Sequence, residues 1–133
     1  MPQPMQMRDD SCMRFAEDSR ASNTIRAYAA GEIIVNDTRI AQSVIITPDE
    51  VRHWAPHSFD ELQAKHLEAV ADLRPEVVIL GTGVQLRFPR PDITARLQTR
   101  GIGVEIMATD AACRTFNILL AEERRVVAAL ILG

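Results

Sequence analysis

The sequence predicts an α/β domain in which an N-terminal antiparallel β-meander leads into a C-terminal βαβαβ half, giving one mixed central sheet with helices packed on it. Three observations carry this. Short apolar segments joined by tight turns fill the stretch from Thr24 to Thr47. A continuous apolar run, Val77-Val78-Ile79-Leu80, stops at Gly81-Thr82-Gly83, the pattern of a strand covered on both faces. Beyond it, helical periodicity alternates with further strand-like runs as far as Leu132.

Residues 1–22 are polar, rich in Ser, Asp, Arg and Met, and read as a flexible leader; residues 23–133 read as one domain. Ile25, Ala27 and Ala29 alternate as a half-buried strand, and Ile33–Val35 form the next. Asn36-Asp37 suits a tight turn because both residues tolerate positive φ. Ile40–Thr47 then continues as a third strand, with Pro48-Asp49-Glu50 ending the meander and a connector carrying His53, Trp54, Pro56 and His57. Ser58-Phe59-Asp60-Glu61 matches a capping box, so a helix is expected over 58–73 with Phe59, Leu62, His66, Val70 and Leu73 on its apolar stripe. After the strand Val77–Leu80, Asp92 caps a short helix that Gly101 closes. Val104–Met107 form another strand. Thr109-Asp110 cap a second long helix, 109–122, with Ala112, Thr115, Phe116, Leu119 and Leu120 inward, and Val126–Leu132 end the pattern as a strand. The strands ending at Leu80 and Met107 should be parallel neighbours, which brings Gly81–Gly83 beside Thr109-Asp110.

Composition excludes several classes. A net charge of −3 and a pI near 5.6 argue against a nucleic-acid surface. Lys65 is the only lysine, a bias we read as one of codon composition. Cys12 and Cys113 make no disulfide framework, which points to a reducing compartment and a cytoplasmic location. No stretch has the ~20 apolar residues of a membrane span, and the leader lacks the apolar segment of a secretory signal.

The candidate chemistry is sparse. Gly81-Thr82-Gly83 could cradle an anion on backbone amides, but no third glycine follows, Leu86 stands there, and no Lys-Ser/Thr pair is present. The plainer reading is a tight turn where a Cβ would clash. Thr109-Asp110 at a helix start could attract an anion or simply cap the helix, and Asp110 disfavours the anion. Cys113 near that start is a candidate nucleophile with no histidine close in sequence, or a core thiol. Glu105, between Val104 and Ile106 in a strand expected to be largely buried, either faces a cleft or is a structural residue, edge-facing or paired with arginine, and the structural reading is the plainer one. His53 and His57 lack further ligands for a metal, and no cofactor is expected. Arg87 and Arg90 flank Pro89 and offer a partner surface, or are solvated loop residues.

Two stretches carry a resemblance: Pro75-Glu76-Val77-Val78-Ile79-Leu80-Gly81-Thr82-Gly83, and Gly101-Ile102-Gly103-Val104-Glu105-Ile106-Met107-Ala108-Thr109 continuing through Ala112, Thr115-Phe116-Asn117, Leu119 and Glu122. They resemble the signatures of a family of small domains of unknown function that includes the mitochondrial respiratory complex I assembly factor 3 and an adipogenesis-associated protein. The resemblance spans about Met13 to Leu132. It implies a three-layer fold, no catalytic residues to carry over, and work by binding other proteins. The expected function is therefore a non-catalytic, assembly-factor-like interaction module with a protein partner, weak self-association being a further option. The alternative is a small-molecule binder or enzyme using the cleft near Gly81–Gly83, Glu105 and Thr109.

Overall fold

The computed structural model describes residues 22–132; the leader expected over 1–22 therefore lies, except for Ser22, outside the described residues. The first three strands, β1 (Ile25–Ala29), β2 (Glu32–Val35) and β3 (Thr38–Ile40), pair antiparallel in the order β1-β2-β3. Asn36 turns β2 into β3 with φ +56°, and its side-chain oxygen accepts from the Thr24 amide at 3.0 Å. This is the expected meander, but it stands as a sheet of its own.

The chain leaves that sheet at Ala41–Ser43, splitting the strand expected over Ile40–Thr47. The reason is burial. Thr38 and Arg39 are exposed, whereas Val44, Ile45 and Ile46 are all buried and need cover on both faces. Ser43 makes the transfer: its hydroxyl accepts from the Leu132 amide at 3.2 Å and its carbonyl from the Trp54 amide at 3.0 Å. The second sheet contains β4 (Val44–Ile46), β5 (Val51–His53), β6 (Val77–Gly81), β7 (Gly103–Met107) and β8 (Val126–Leu130) in the order β5-β4-β8-β6-β7. β4 runs antiparallel to β5 and β8, while β6 runs parallel to β7 and β8, so the central sheet is mixed as the sequence predicts. β5 falls where the sequence reads as connector, because all three of its residues are exposed and carry no apolar pattern. Backbone pairing and the Thr47 hydroxyl, which accepts from the Glu50 amide at 2.8 Å, hold its hairpin.

Helices α1 (Ala64–Ala71), α2 (Pro91–Gln98) and α3 (Thr109–Ala121) complete three layers. The two-residue period of each strand sends alternate side chains to opposite faces. Val78, Leu80, Val127 and Ala129 meet Leu67, Val70, Ile93 and Leu97 of α1 and α2. Val77, Ile79, Ala128 and Leu130 meet Ala112 and Phe116 of α3, together with Ile25, Ile33 and Val35 of the small sheet. Asn117 fastens that small sheet to α3: its side-chain oxygen accepts from the Ile25 amide at 3.0 Å and its nitrogen donates to the Ile25 carbonyl at 2.7 Å.

The helix expected over 58–73 is interrupted. A single 3₁₀ turn, Phe59–Glu61, precedes extended Leu62 and Gln63, and only then does α1 begin. Ser58 makes no capping bond; Glu61 reaches the His57 amide instead, at 3.0 Å. The break lets Leu62 bury itself in the core, and the functioning box is Gln63 with His66, whose Nδ1 accepts from the Gln63 amide at 3.0 Å. Burial, then the Lys65 charge, lower the His66 pKa, in keeping with a ring nitrogen that serves as acceptor. The buried stripe is accordingly Leu67, Val70 and Ala71, and His66 lies beside it. At α2 the expected cap, Asp92, sits inside the first turn behind Pro91. Its C-terminal stop is as expected: Gly101 and Ile102 donate to the Gln98 and Leu97 carbonyls, a Schellman closure.

Candidate functional site

β6 and β7 end side by side, so Gly81–Gly83 and Thr109 meet as the topology requires. What they build is a junction without room for a ligand. Thr109 is fully buried, and its hydroxyl donates to the Ile131 carbonyl at 2.8 Å while accepting from the Gly83 amide at 2.8 Å. The Thr109 amide donates to the Gly83 carbonyl at 2.9 Å, and the Thr82 amide to the Met107 carbonyl at 2.9 Å. The amides that an anion would use at Thr82 and Gly83 are thus already engaged. Thr109 does not cap α3 either: Ala108 holds that position, and the threonine side chain is committed to the neighbouring strand and loop. Gly81 packs so closely that an added Cβ would lie 2.9 Å from Thr109 Oγ1 and 2.9 Å from Leu130 Cδ2.

The other sequence-derived residues separate from this junction. Glu105 is exposed and edge-facing, because β7 is the edge of the sheet; the expectation of a largely buried strand fails there, and the carboxylate does not join the junction. Asp110 and Cys113 turn toward β1 and line a small cleft of about 340 Å³ with Tyr28 and Arg114. Burial, then the negative charge of Asp110, push the Cys113 thiol up to about 12, and burial likewise raises Tyr28. That thiol is no nucleophile at neutral pH. In a Cys12→Ser background, Cys113 should alkylate at pH 8 roughly 1,000-fold more slowly than an ordinary thiol, judged by the thiolate fraction alone. Iodoacetamide labelling followed by mass spectrometry reads this, with prompt modification expected only in denaturant. Because the unfolded thiol loses its proton first, stability should also fall as pH rises from about 9 towards 12.

Arg87 is less free than a solvated loop residue. Its guanidinium lies 4.4 Å above the Phe59 ring and donates to Asp60 at 3.0 Å. Arg90 pairs with Asp92 at 3.3 Å. The loop between them and β6 is braced from within, since the Thr82 hydroxyl donates to the Gln85 carbonyl at 2.7 Å and accepts from the Arg87 amide at 3.1 Å. Sequence reading singled out the arginines and missed their neighbours. Val84, Leu86 and Phe88 are 66%, 51% and 70% exposed, large apolar side chains at alternate positions of one pinned loop. The alternation itself was the available signal.

A wider cleft opens at the other end of the sheet, where β6 and β8 begin. It holds about 800 Å³ and is lined by Ser22, by Thr47–Glu50 and Arg52 of the hairpin, by the Leu73–Pro75 link and by Arg125–Val127. No motif marks it, because four distant and ordinary segments form it together. Among the described residues no group of three or more His, Cys, Asp or Glu is placed to hold a metal ion, and no helix is long and apolar enough to cross a membrane.

Residues 25–131 match the protein family of unknown function DUF498/DUF598. The chain belongs to this family. Among curated relatives it is 29% identical to the NADH dehydrogenase (ubiquinone) 1 alpha subcomplex assembly factor 3 of Xenopus tropicalis, over 89% of the chain and 66% of that protein. The Danio rerio assembly factor is 30% identical over 95% of the chain and 74% of its own length. A 13 kDa major membrane protein of Francisella tularensis is 28% identical, over 86% of the chain and 95% of the relative. A crystal structure of a Bordetella parapertussis protein superposes with a TM-score of 0.82 at 39% identity, covering 86% of this chain and 99% of that one. The family resemblance carried by the two signatures therefore holds, and so does the three-layer fold it implies.

Proposed function

We propose that residues 23–133 work as one non-catalytic, assembly-factor-like module that grips a protein partner through the loop after β6. The observation that carries this is the trio Val84, Leu86 and Phe88. Large apolar side chains grouped in the open are a cost unless something covers them, and partner contacts concentrate on such anchors. The loop is held before binding by Thr82 and by the Arg87–Phe59 stack, so little ordering entropy remains to oppose capture. Arg90 lies on its rim. The assembly factors among the relatives support a protein partner, and the filled Gly81–Thr109 junction gives the small-molecule alternative at that place no support. Cytoplasmic location, read from composition, is part of the same proposal.

The test is affinity capture from the native host with the wild-type chain and with a Leu86→Ser/Phe88→Ser double variant. The variant should lose about tenfold or more of the captured partner, with a melting temperature almost unchanged because both side chains are exposed. Equal capture by both chains would sink the proposal. If the wild-type chain floats with phospholipid vesicles and the variant does not, the same loop meets a membrane surface instead, the reading that the Francisella relative's name favours.

A further inference from the structure

We infer that the cleft where β6 and β8 begin binds a small organic carboxylate with an apolar body, its carboxylate held between Arg74 and Arg125. The size is suitable, since about 800 Å³ falls in the range of small-molecule sites. Pro48, Leu73, Pro75, Val126 and Val127 supply apolar wall. The charges then select the ligand. Arg52 is already engaged, its Nε 2.7 Å from Glu50, and Asp49 accepts from the Thr47 hydroxyl at 3.1 Å. Arg74 and Arg125 meet no carboxylate among the described residues. Among the described residues of the lining this leaves two guanidiniums against one acid, Asp49, and so a single positive charge, which suits a monoanion better than a phosphate dianion. Guanidinium forks are matched in shape to a carboxylate.

A second observation points to the same place. Arg74 has φ +57°, the left-handed position just beyond α1 where glycine is the usual residue. An arginine there tolerates backbone strain that a glycine would relieve. Arg125 springs from a backbone held on both sides by Glu76, whose carboxylate accepts from the Arg125 amide at 3.1 Å and whose amide donates to the Arg125 carbonyl at 2.8 Å. Both side chains therefore start from fixed points on the rim of one opening.

The site is independent of the Val84–Phe88 loop, so either conclusion can fail alone. The experiment titrates the ¹⁵N-labelled full chain with octanoate, 1-octanol and inorganic phosphate, following amide shifts. Octanoate should produce saturable shifts at Arg74, Arg125 and the Thr47–Arg52 turn, with octanol and phosphate each binding about tenfold or more weakly. Arg74→Gly should weaken octanoate about tenfold while the melting temperature holds or rises. That opposition separates a binding role from a structural one. Arg125→Gln should weaken octanoate similarly. Shifts that never saturate, or that map away from the cleft, overturn the inference. So does octanol or phosphate binding as tightly as octanoate, or Arg74→Gly leaving the affinity intact.

Discussion

Replacing Thr109 by valine is expected to cost about 3 kcal/mol of folding stability, although the two side chains have nearly the same shape. The hydroxyl is the only thing lost, and it serves two buried backbone groups at once. Without it the Gly83 amide and the Ile131 carbonyl stay buried unpaired, and each orphaned group costs about 1–3 kcal/mol. The effect should appear as a lower urea midpoint with an unchanged slope, because the surface exposed on unfolding is the same. Thr109→Ser, which keeps the hydroxyl, should recover most of the loss. A valine variant as stable as wild type would mean that the junction does not hold β6, β8 and α3 together.

Gly81→Ala should be comparably damaging, at about 2–3 kcal/mol, and the sign is the instructive part. Adding a methyl group to a strand glycine is ordinarily favourable, because it restrains the unfolded chain. Here the new Cβ would lie 2.9 Å from Thr109 Oγ1 and 3.1 Å from Thr109 Cα. Leu130 Cδ2 is the end of a side chain and can yield, but the hydroxyl is held by two hydrogen bonds and the Cα belongs to the first turn of α3. Overpacking against backbone costs about 1–3 kcal/mol, and this case belongs at the upper end. Because the strain runs through the Thr109 hydroxyl, a Gly81→Ala/Thr109→Ala double variant should be less damaged than the sum of its parts by about 1 kcal/mol. Gly101→Ala is the contrast: nothing lies within 4 Å of its added Cβ, and only its φ of +76° penalises the change. Chemical denaturation of Gly81→Ala, Thr109→Ala, the double variant and Gly101→Ala checks the ranking.

Much of this architecture was legible because burial on both faces writes itself into a strand. Val77–Leu80 could hardly be anything but a central strand, and Gly101 could be read as a helix stop from its position alone. The failures share a cause as well. β5 is held by backbone bonds at an exposed edge, so its residues Val51-Arg52-His53 carry no pattern to read. Ser58 reads as the helix start, yet α1 begins after Gln63 because Leu62 must reach the core, a requirement set by residues far along the chain. Thr109 looks like a cap in sequence, yet its bond runs to Ile131, 22 residues away. The strand that carries Glu105 looked largely buried because the strand order, which puts β7 outermost, is not a local property. The Arg74–Arg125 cleft was invisible for the same reason, being assembled from four segments that are each unremarkable alone.

The place of β8 has a consequence for how this protein is made. β8 joins the antiparallel and parallel halves of the central sheet, between β4 and β6, yet of the five strands of that sheet it comes last along the chain. Until Val126–Leu130 have left the exit tunnel, β6 and β4 each lack their inner neighbour, and both present unpaired apolar strand edges. Folding of the sheet must therefore wait until synthesis has passed residue 130. A chain interrupted shortly before that point is left with unpaired edges of the kind that chaperones guard and aggregation exploits.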